Sequence, residues 1–124
     1  MIDKNLTYAV IGASFNPEKY GHRVFKDLLE AGYKVIPINP KKGILLEQQV
    51  YATVSEYADI IDVAVFVVPP EITLQVLEEV YAKGIKRVWM QPGSESEKAK
   101  ARCQELGIEF VAEACIMVQR RVKK

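Results

Sequence analysis

Residues Tyr8–Pro17 read YAVIGASFNP, and the fold class can be inferred from them. An apolar run typical of a buried strand ends in a Gly-Ala-Ser turn, and an amphipathic helical pattern follows over about 20–31. This order is typical of α/β domains that bind mononucleotides, because N–H groups of the turn and the helix N-terminus can both face a phosphate. The turn lacks the second and third glycines of the G-x-G-x-x-G fingerprint. The stretch therefore predicts a phosphorylated, nucleotide-like ligand and argues against an ordinary NAD enzyme.

Bulk composition limits the class of protein. The chain has 124 residues, of which 49% are hydrophobic and 27% charged, and this composition predicts one globular domain over 1–124. Residues 119–124 are expected to form a basic C-terminal tail. A net charge of +1 gives no overall field to attract nucleic acid. The sequence shows no secretory leader and no apolar run near the roughly 20 residues of a membrane helix. We therefore expect a cytoplasmic protein that binds neither nucleic acid nor membrane.

The remaining pattern predicts alternating strands and helices. The first helix is expected over about 20–31. A second helix follows the Pro69-Pro70 break and ends at about Lys83, and a third ends at about Leu106. Alternation of this kind favours a three-layer, doubly wound α/β fold with a mostly parallel sheet, whose ligand lies beyond the carboxyl ends of the strands. The two strands that end at Gly12 and Val68 are expected to be central neighbours. The predicted strands are 7–12, Lys34–Ile38, a short one near Gln49–Tyr51, Val63–Val68, Lys86–Met90 and Glu109–Val111.

Finer features of the helices are also predicted. The segments Thr53–Glu56 and Ser94–Glu97 match capping boxes. Cys103 lies on the apolar face of its helix and is expected to be buried. The core stripe of the second long helix is predicted to consist of Ile72, Val76, Leu77, Val80 and Tyr81.

The loops after the first two strands carry the most informative chemistry. The first offers backbone donors, the Ser14 hydroxyl and the Asn16 amide, although the same residues also form ordinary tight turns. The second, 39–43, has no carboxylate where NAD domains hold the ribose, and it contains Lys41 and Lys42. An additional ribose phosphate would suit these ammonium groups, as in NADP or coenzyme A. A solvated lysine pair on a surface loop is the plain alternative.

Three other groups have two interpretations each. The rigid segment Val68–Pro70 either flanks an adenine or simply terminates a strand. Lys19 and Arg23, near the start of the first helix, either add positive charge to the site or lie on the surface. Cys115, in the loop after the last strand, either meets the reactive end of a ligand or is an inert thiol, and we favour the inert thiol.

No catalytic constellation emerges from the sequence. The only histidine, His22, lies at the start of the first helix, where it is a residue near the ligand rather than a general base. The two cysteines form neither a disulfide framework nor a metal-binding spacing with this histidine. We expect no metal.

Five blocks of the sequence together resemble a known family. In order they are Val10–Pro17, Leu29–Pro40, Asp62–Val63, Val68–Pro70 and Val88–Gly93. Over about 5–118 the chain resembles the small stand-alone coenzyme A-binding proteins, which have a Rossmann-like CoA-binding domain. It is also similar to the N-terminal domain of the succinyl-CoA synthetase α subunit.

The resemblance implies that coenzyme A (CoA) lies across the carboxyl edge of the sheet. The family's glycine loop corresponds to Gly12–Asn16 and its basic loop to Asn39–Lys42, with Lys42 matching the synthetase lysine. Pro92 stands where the synthetase has a glutamate, the loop 15–20 differs, and the chain stops before the synthetase domain that carries the phosphorylated histidine. The resulting set of predicted ligand-binding residues is Gly12, Ala13, Ser14, Phe15, Asn16, Tyr20, Arg23, Asn39, Pro40, Lys41, Lys42, Val68, Pro69, Pro70, Met90, Gln91, Pro92 and Gly93.

The leading hypothesis is thus a protein that binds CoA or an acyl-CoA and has no catalysis of its own. The first alternative is an enzyme acting on an acyl-CoA or an NADP-like ligand, with Cys115 or His22 as the reactive group. The second is a regulatory or scaffold protein in which the nucleotide is structural. The sequence names no protein partner.

Overall fold

Alternating strands and helices make up the computed structural model, which describes residues 2–122. Each long apolar run forms a strand and each amphipathic segment a helix, as the periodicity predicts. The elements are β1 (Thr7–Ile11), α1 (Tyr20–Glu30), β2 (Lys34–Ile38), β3 (Gly43–Leu45), β4 (Gln48–Val50), a 3-10 turn (Val54–Glu56), β5 (Val63–Phe66), α2 (Pro70–Lys83), β6 (Arg87–Met90), α3 (Glu97–Leu106), β7 (Glu109–Ala112) and α4 (Ile116–Val122).

Five strands form one parallel sheet in the order β2-β1-β5-β6-β7. Ile11 of β1 is in register with Ile38 of β2 and with Phe66 of β5. β1 and β5 are central neighbours, as predicted. Because all five strands run the same way, the loops that follow them emerge at one edge of the sheet.

The sheet is covered on both faces, which confirms the α/β fold class. Tyr8 and Val10 pack on the face covered by α1 and α4. Ala9 and Ile11 pack on the opposite face, with the buried side chains of α2 and α3. Burial on both faces explains why β1 and β5 are continuously apolar rather than alternating. Cys103 is fully buried on α3, as expected.

A small hairpin corrects one prediction. The segment predicted as a loop over 39–43 gives way at Gly43 to β3, which pairs with β4 in an antiparallel hairpin. Leu46 and Glu47 make its turn with φ values of +49° and +68°. Tyr51, expected within a strand, joins the main sheet through a single bridge to Ile38.

Two expectations about α2 are wrong. Ile72 and Tyr81, predicted as core residues, are 39% and 54% exposed. The buried stripe runs instead through Thr73, Leu77 and Val80. Ile72 and Tyr81 lie at the two margins of the predicted stripe, so the buried stripe is narrower than the apolar residues of the helix suggest.

The predicted capping boxes also differ from the structure. Ser96 caps α3 by accepting a hydrogen bond from the Ala99 N–H at 3.0 Å. The side chain of Thr53 makes no capping bond. Glu56 accepts instead from the N–H of Ala52 at 3.0 Å.

The C-terminal segment is a helix up to Val122 rather than a basic tail. The guanidinium of Arg120 donates two hydrogen bonds to the Asp27 carboxylate of α1, at 2.7 and 2.8 Å, and Arg121 donates a third at 2.9 Å. Ile116, the first residue of α4, is fully buried. The rest of the predicted tail, residues 123–124, lies outside the described residues. Within 2–122, no helix combines the length and the apolar character that crossing a membrane requires.

Candidate functional site

The turn after β1 depends on Gly12. Its N–H donates to the Ile38 carbonyl at 3.1 Å, and its φ is +103°. A Cβ at this position would lie 2.3 Å from the carbonyl oxygen of Val67, in the loop after β5. Only glycine combines this backbone conformation with such close packing. The turn therefore packs tightly against the loop that follows β5.

Three consecutive N–H groups of this turn are free. Within the part of the chain that the structure describes, the backbone N–H groups of Ala13, Ser14 and Phe15 donate no hydrogen bond. The side chains nearby are used locally: Ser14 Oγ accepts from the Asn16 N–H at 3.1 Å, and Asn16 Oδ1 accepts from the Glu18 N–H at 3.0 Å. The backbone rather than these side chains is therefore available to an anion.

Asn39 joins the second loop to the first. Its Nδ2 donates to the Ala13 carbonyl at 2.6 Å, and its Oδ1 accepts from the Lys41 N–H at 2.8 Å. Lys42 has a left-handed backbone, with φ at +50°, and its N–H donates to the Asn39 carbonyl at 3.0 Å. Both lysines are exposed. The basic loop is thus fixed beside the free N–H groups.

The loop after β5 has a different character. The Val68 N–H donates to Ser94 Oγ at 3.0 Å, and Ser94 is buried. Pro69 caps α2, and Pro70 is its first residue. Because proline has no N–H, this loop presents an apolar surface with few donors. It suits a flat ring better than a phosphate.

A polar cluster closes the other end of the sheet edge. Gln91, fully buried after β6, donates from Nε2 to the Tyr20 hydroxyl at 2.9 Å and to Cys115 Sγ at 3.4 Å. Its Oε1 accepts from the Ile116 N–H at 2.7 Å. The Tyr20 oxygen and Cys115 Sγ are 3.0 Å apart. Trp89 Nε1 donates to the Ala114 carbonyl at 2.8 Å and holds the loop that carries the thiol.

The surroundings shift two pKa values in opposite directions. Burial, together with the neighbouring Cys115, raises the pKa of Tyr20 to about 12. Burial acts to raise the pKa of Cys115 as well, but hydrogen bonds from Tyr20, Gln91 and the backbone at Val118 and Met117 outweigh it. The pKa of Cys115 therefore lies below its ordinary value. A thiol of this kind differs from the purely apolar burial that raises the pKa of Cys103 to about 11.

Comparison with known proteins settles the family. A family model described as the CoA binding domain matches residues 6–121. This chain belongs to the CoA-binding domain family. The resemblance seen in the sequence is thereby confirmed, and the geometry above is that of a CoA-binding domain.

Relatives of this CoA-binding domain include much longer proteins. The α subunit of ADP-forming acetate–CoA ligase I from Pyrococcus furiosus is 45% identical over 86 residues, covering 64% of this chain and 19% of the subunit. The ligase II α subunit of the same organism is 33% identical over 119 residues, covering 87% of this chain and 26% of the subunit. The chain spans about a quarter or less of these relatives. A solved conserved hypothetical protein from P. furiosus has a TM-score of 0.88 and 42% identity, covering 92% of this chain and 98% of that one.

Most of the predicted residues of the CoA-binding domain follow parallel strands and therefore come to one sheet edge. Phe15 belongs to this edge and approaches the second loop: its ring lies 3.5 Å from where a Gly43 Cβ would be. Met90 is an exception, because its side chain is fully buried in the core and leaves only its backbone for a ligand. Arg23, Pro92 and Gly93 are exposed.

His22 has a supporting position in the CoA-binding domain. The ring is buried, and Nδ1 donates to the Ser14 carbonyl at 2.8 Å. It therefore holds the turn that carries the free N–H groups. Among residues 2–122, no three histidine, cysteine, aspartate or glutamate side chains gather into a group that could hold a metal ion.

Sequence reasoning missed two residues that shape the edge. Ser94, interpreted only as a helix cap, joins the loops after β5 and β6. Glu56, interpreted in the same way, lies with Oε1 3.6 Å from the Lys42 ammonium. Both contacts bridge segments far apart in the sequence, and the local capping pattern gave no indication of them.

Proposed function

We propose that this CoA-binding domain binds coenzyme A at the carboxyl edge of its sheet. The observation that carries the proposal is the 2.6 Å hydrogen bond from Asn39 to Ala13. It fixes the basic loop beside three free backbone N–H groups. An anion-binding pocket and a cationic loop for a second phosphate are therefore preassembled next to each other.

Each phosphate of CoA has a matching group. The N–H groups of Ala13, Ser14 and Phe15 would receive the pyrophosphate, because consecutive N–H groups in a turn form an anion-binding concavity. Lys41 or Lys42 would pair with the 3′-phosphate. No carboxylate follows β2 within the loop, so nothing there mimics the ribose contact of an NAD site.

The uncharged parts of CoA fit the rest of the edge. Pro40 and Val68–Pro70 would flank the adenine, since these residues present apolar surface and few donors. The pantetheine arm would run past Gln91–Gly93 toward Cys115. The ligand is then CoA or an acyl-CoA.

We infer that binding occurs without catalysis by this chain. His22 and Gln91 are committed to holding the turn and the cluster. The lowered pKa of Cys115 favours one alternative, an enzyme that uses this thiol on an acyl-CoA or an NADP-like ligand. Incubation of acetyl-CoA with the protein and with Cys115→Ser decides between them. Thiol-dependent loss of the thioester would contradict the non-catalytic proposal.

Thermal-shift titration tests ligand identity, because a ligand that binds only the native state raises Tm. We expect the shift to follow the order CoA, 3′-dephospho-CoA, then NADP and NAD. In the double variant Lys41→Met/Lys42→Met, affinity for CoA should fall about tenfold, because charge-assisted hydrogen bonds to the 3′-phosphate are lost. Affinity for 3′-dephospho-CoA should stay nearly the same.

The matched control is Lys26→Met/Lys98→Met, which removes the same charge from two exposed positions on α1 and α3. It should leave the order of ligands unchanged. No shift with CoA would contradict the proposed function. Equal shifts with CoA and its dephospho form would remove the role given to the two lysines.

A further inference from the structure

The two lysines of the basic loop have different surroundings. Lys42 Nζ lies 3.6 Å from Glu56 Oε1, with the two side chains 57% and 41% exposed. Lys41 makes no ion pair within residues 2–122. One of the two cations next to the glycine turn is therefore already engaged by an anion, and the other is open to a ligand.

Glu56 is held in position by its own segment. It ends the 3-10 turn Val54–Glu56, and its N–H donates to the Thr53 carbonyl at 3.2 Å. The same Oε1 that approaches Lys42 accepts from the Ala52 N–H at 3.0 Å. The carboxylate is thus directed at the basic loop by a backbone contact that does not depend on Lys42.

The backbone of Lys42 is held in place as well. Its N–H donates to the Asn39 carbonyl, and Asn39 bonds to Ala13 in the glycine turn. A phosphate that reaches Lys42 therefore arrives next to a fixed carboxylate. It must take the ammonium from Glu56 and then remain close to a like charge, and both effects weaken its binding.

We propose that Glu56 weakens the preference of this protein for ligands that carry a ribose phosphate. It lowers the affinity for CoA by competing for Lys42, and it has little effect on ligands that lack the 3′-phosphate. This inference rests on the proposed function. It assigns a specificity-determining role to a residue that contacts Lys42 rather than the ligand.

Glu56→Gln tests the inference, because an amide oxygen can still accept from Ala52 while the charge is removed. Affinities for CoA and for 3′-dephospho-CoA are measured by calorimetry for both proteins. We expect Glu56→Gln to bind CoA about threefold to tenfold more tightly at low salt, from removal of one nearby charge. Binding of the dephospho form should change by less than about twofold. The gain should shrink at about 1 M salt, where the Debye length is only about 3 Å.

Glu109→Gln is the control variant. It removes the same charge from another exposed ion pair, Arg87–Glu109 at 3.0 Å, near the amino ends of β6 and β7. It should leave both affinities unchanged. Equal gains in the two variants would point to net charge and overturn the inference.

The remaining outcomes separate this inference from the proposed function. If the wild-type protein binds no CoA, the proposed function fails. If it prefers CoA over the dephospho form but Glu56→Gln leaves that preference unchanged or lowers it, only the role of Glu56 fails. A lowered preference would mean that Glu56 positions Lys42 for the phosphate.

Discussion

Two parts of the sheet edge differ in how far their polar groups are already satisfied. In the open half, formed by Gly12–Phe15 and Asn39–Lys42, the backbone N–H groups of Ala13, Ser14 and Phe15 donate no hydrogen bond and the Lys41 ammonium makes no ion pair among the described residues. In the paired half, formed by Tyr20, Gln91 and Cys115, each side chain bonds to the others. Unsatisfied donors favour binding an anion, whereas a satisfied network favours a fixed structure. We therefore expect loss of the free groups of the open half to alter affinity. Changes in the paired half, or in the glycine that shapes the turn of the open half, should alter stability.

Gly12→Ala is expected to have the largest effect, because Gly12 allows the turn of the open half to pack against Val67. A Cβ would lie 2.3 Å from the Val67 carbonyl, and backbone atoms cannot move aside cheaply. The free energy of unfolding should fall by about 3 kcal/mol or more. Denaturant unfolding measures it.

Gly93→Ala is the matched control for this change. Gly93 also has a positive φ, +96°, but a Cβ there meets nothing within 4 Å. Only the backbone strain remains, and we expect a loss of about 1–2 kcal/mol. Equal losses in the two variants would show that the contact between the turn and Val67 is unimportant.

Gln91→Ala tests whether the paired half is structural. The fully buried amide bonds to Tyr20 and to the Ile116 N–H, so truncation leaves a cavity and unpaired groups. The free energy of unfolding should fall by about 2–3 kcal/mol. The exposed Gln104→Ala should change it by less than about 0.5 kcal/mol. A Gln91→Ala protein that keeps its stability and loses CoA affinity would mean that the paired half serves ligand binding rather than stability.

Asp27→Asn weakens the support of the paired half, because Arg120 and Arg121 hold α4 on α1 through this carboxylate. We expect a loss of about 2 kcal/mol at neutral pH. Partial burial acts to raise the pKa of Asp27, but the two arginines outweigh it and keep the pKa below its ordinary value. The carboxylate thus stabilises the protein above the unfolded pKa of about 3.9. This contribution is lost as the pH falls through the folded pKa.

The measurement is urea unfolding of both proteins across pH. The difference between wild type and Asp27→Asn should be full near pH 7 and should vanish as the pH falls well below about 4. A difference independent of pH would mean that the carboxylate charge has no role in holding α4.

The main sheet was predictable from the sequence because its information is local. Continuous apolar strands such as Val63–Phe66 and helix-ending glycines such as Gly84 need no distant partner to be recognised. The hairpin was not predictable, because its turn places Leu46 and Glu47 in left-handed conformations usually taken by Asn-Gly. α4 was missed since its stability depends on Asp27, which is distant in the sequence.

The candidate site also contains parts that local sequence predicts and parts that depend on contacts between distant residues. The glycine turn and the basic loop could be found from residues in sequence order. The tie from Asn39 to Ala13, the pair of Lys42 with Glu56, and the Tyr20–Gln91–Cys115 cluster each join different elements. Such contacts are determined by the parallel sheet that brings the loops together, and no local pattern records them.

Amide hydrogen exchange with and without CoA tests whether the free N–H groups of Ala13, Ser14 and Phe15 receive the pyrophosphate. We predict that CoA slows exchange at these three amides and near Lys41, and leaves the opposite sheet edge at 59–61 unchanged. Binding of CoA that protects residues 59–61 and leaves the glycine turn unaffected would contradict the account.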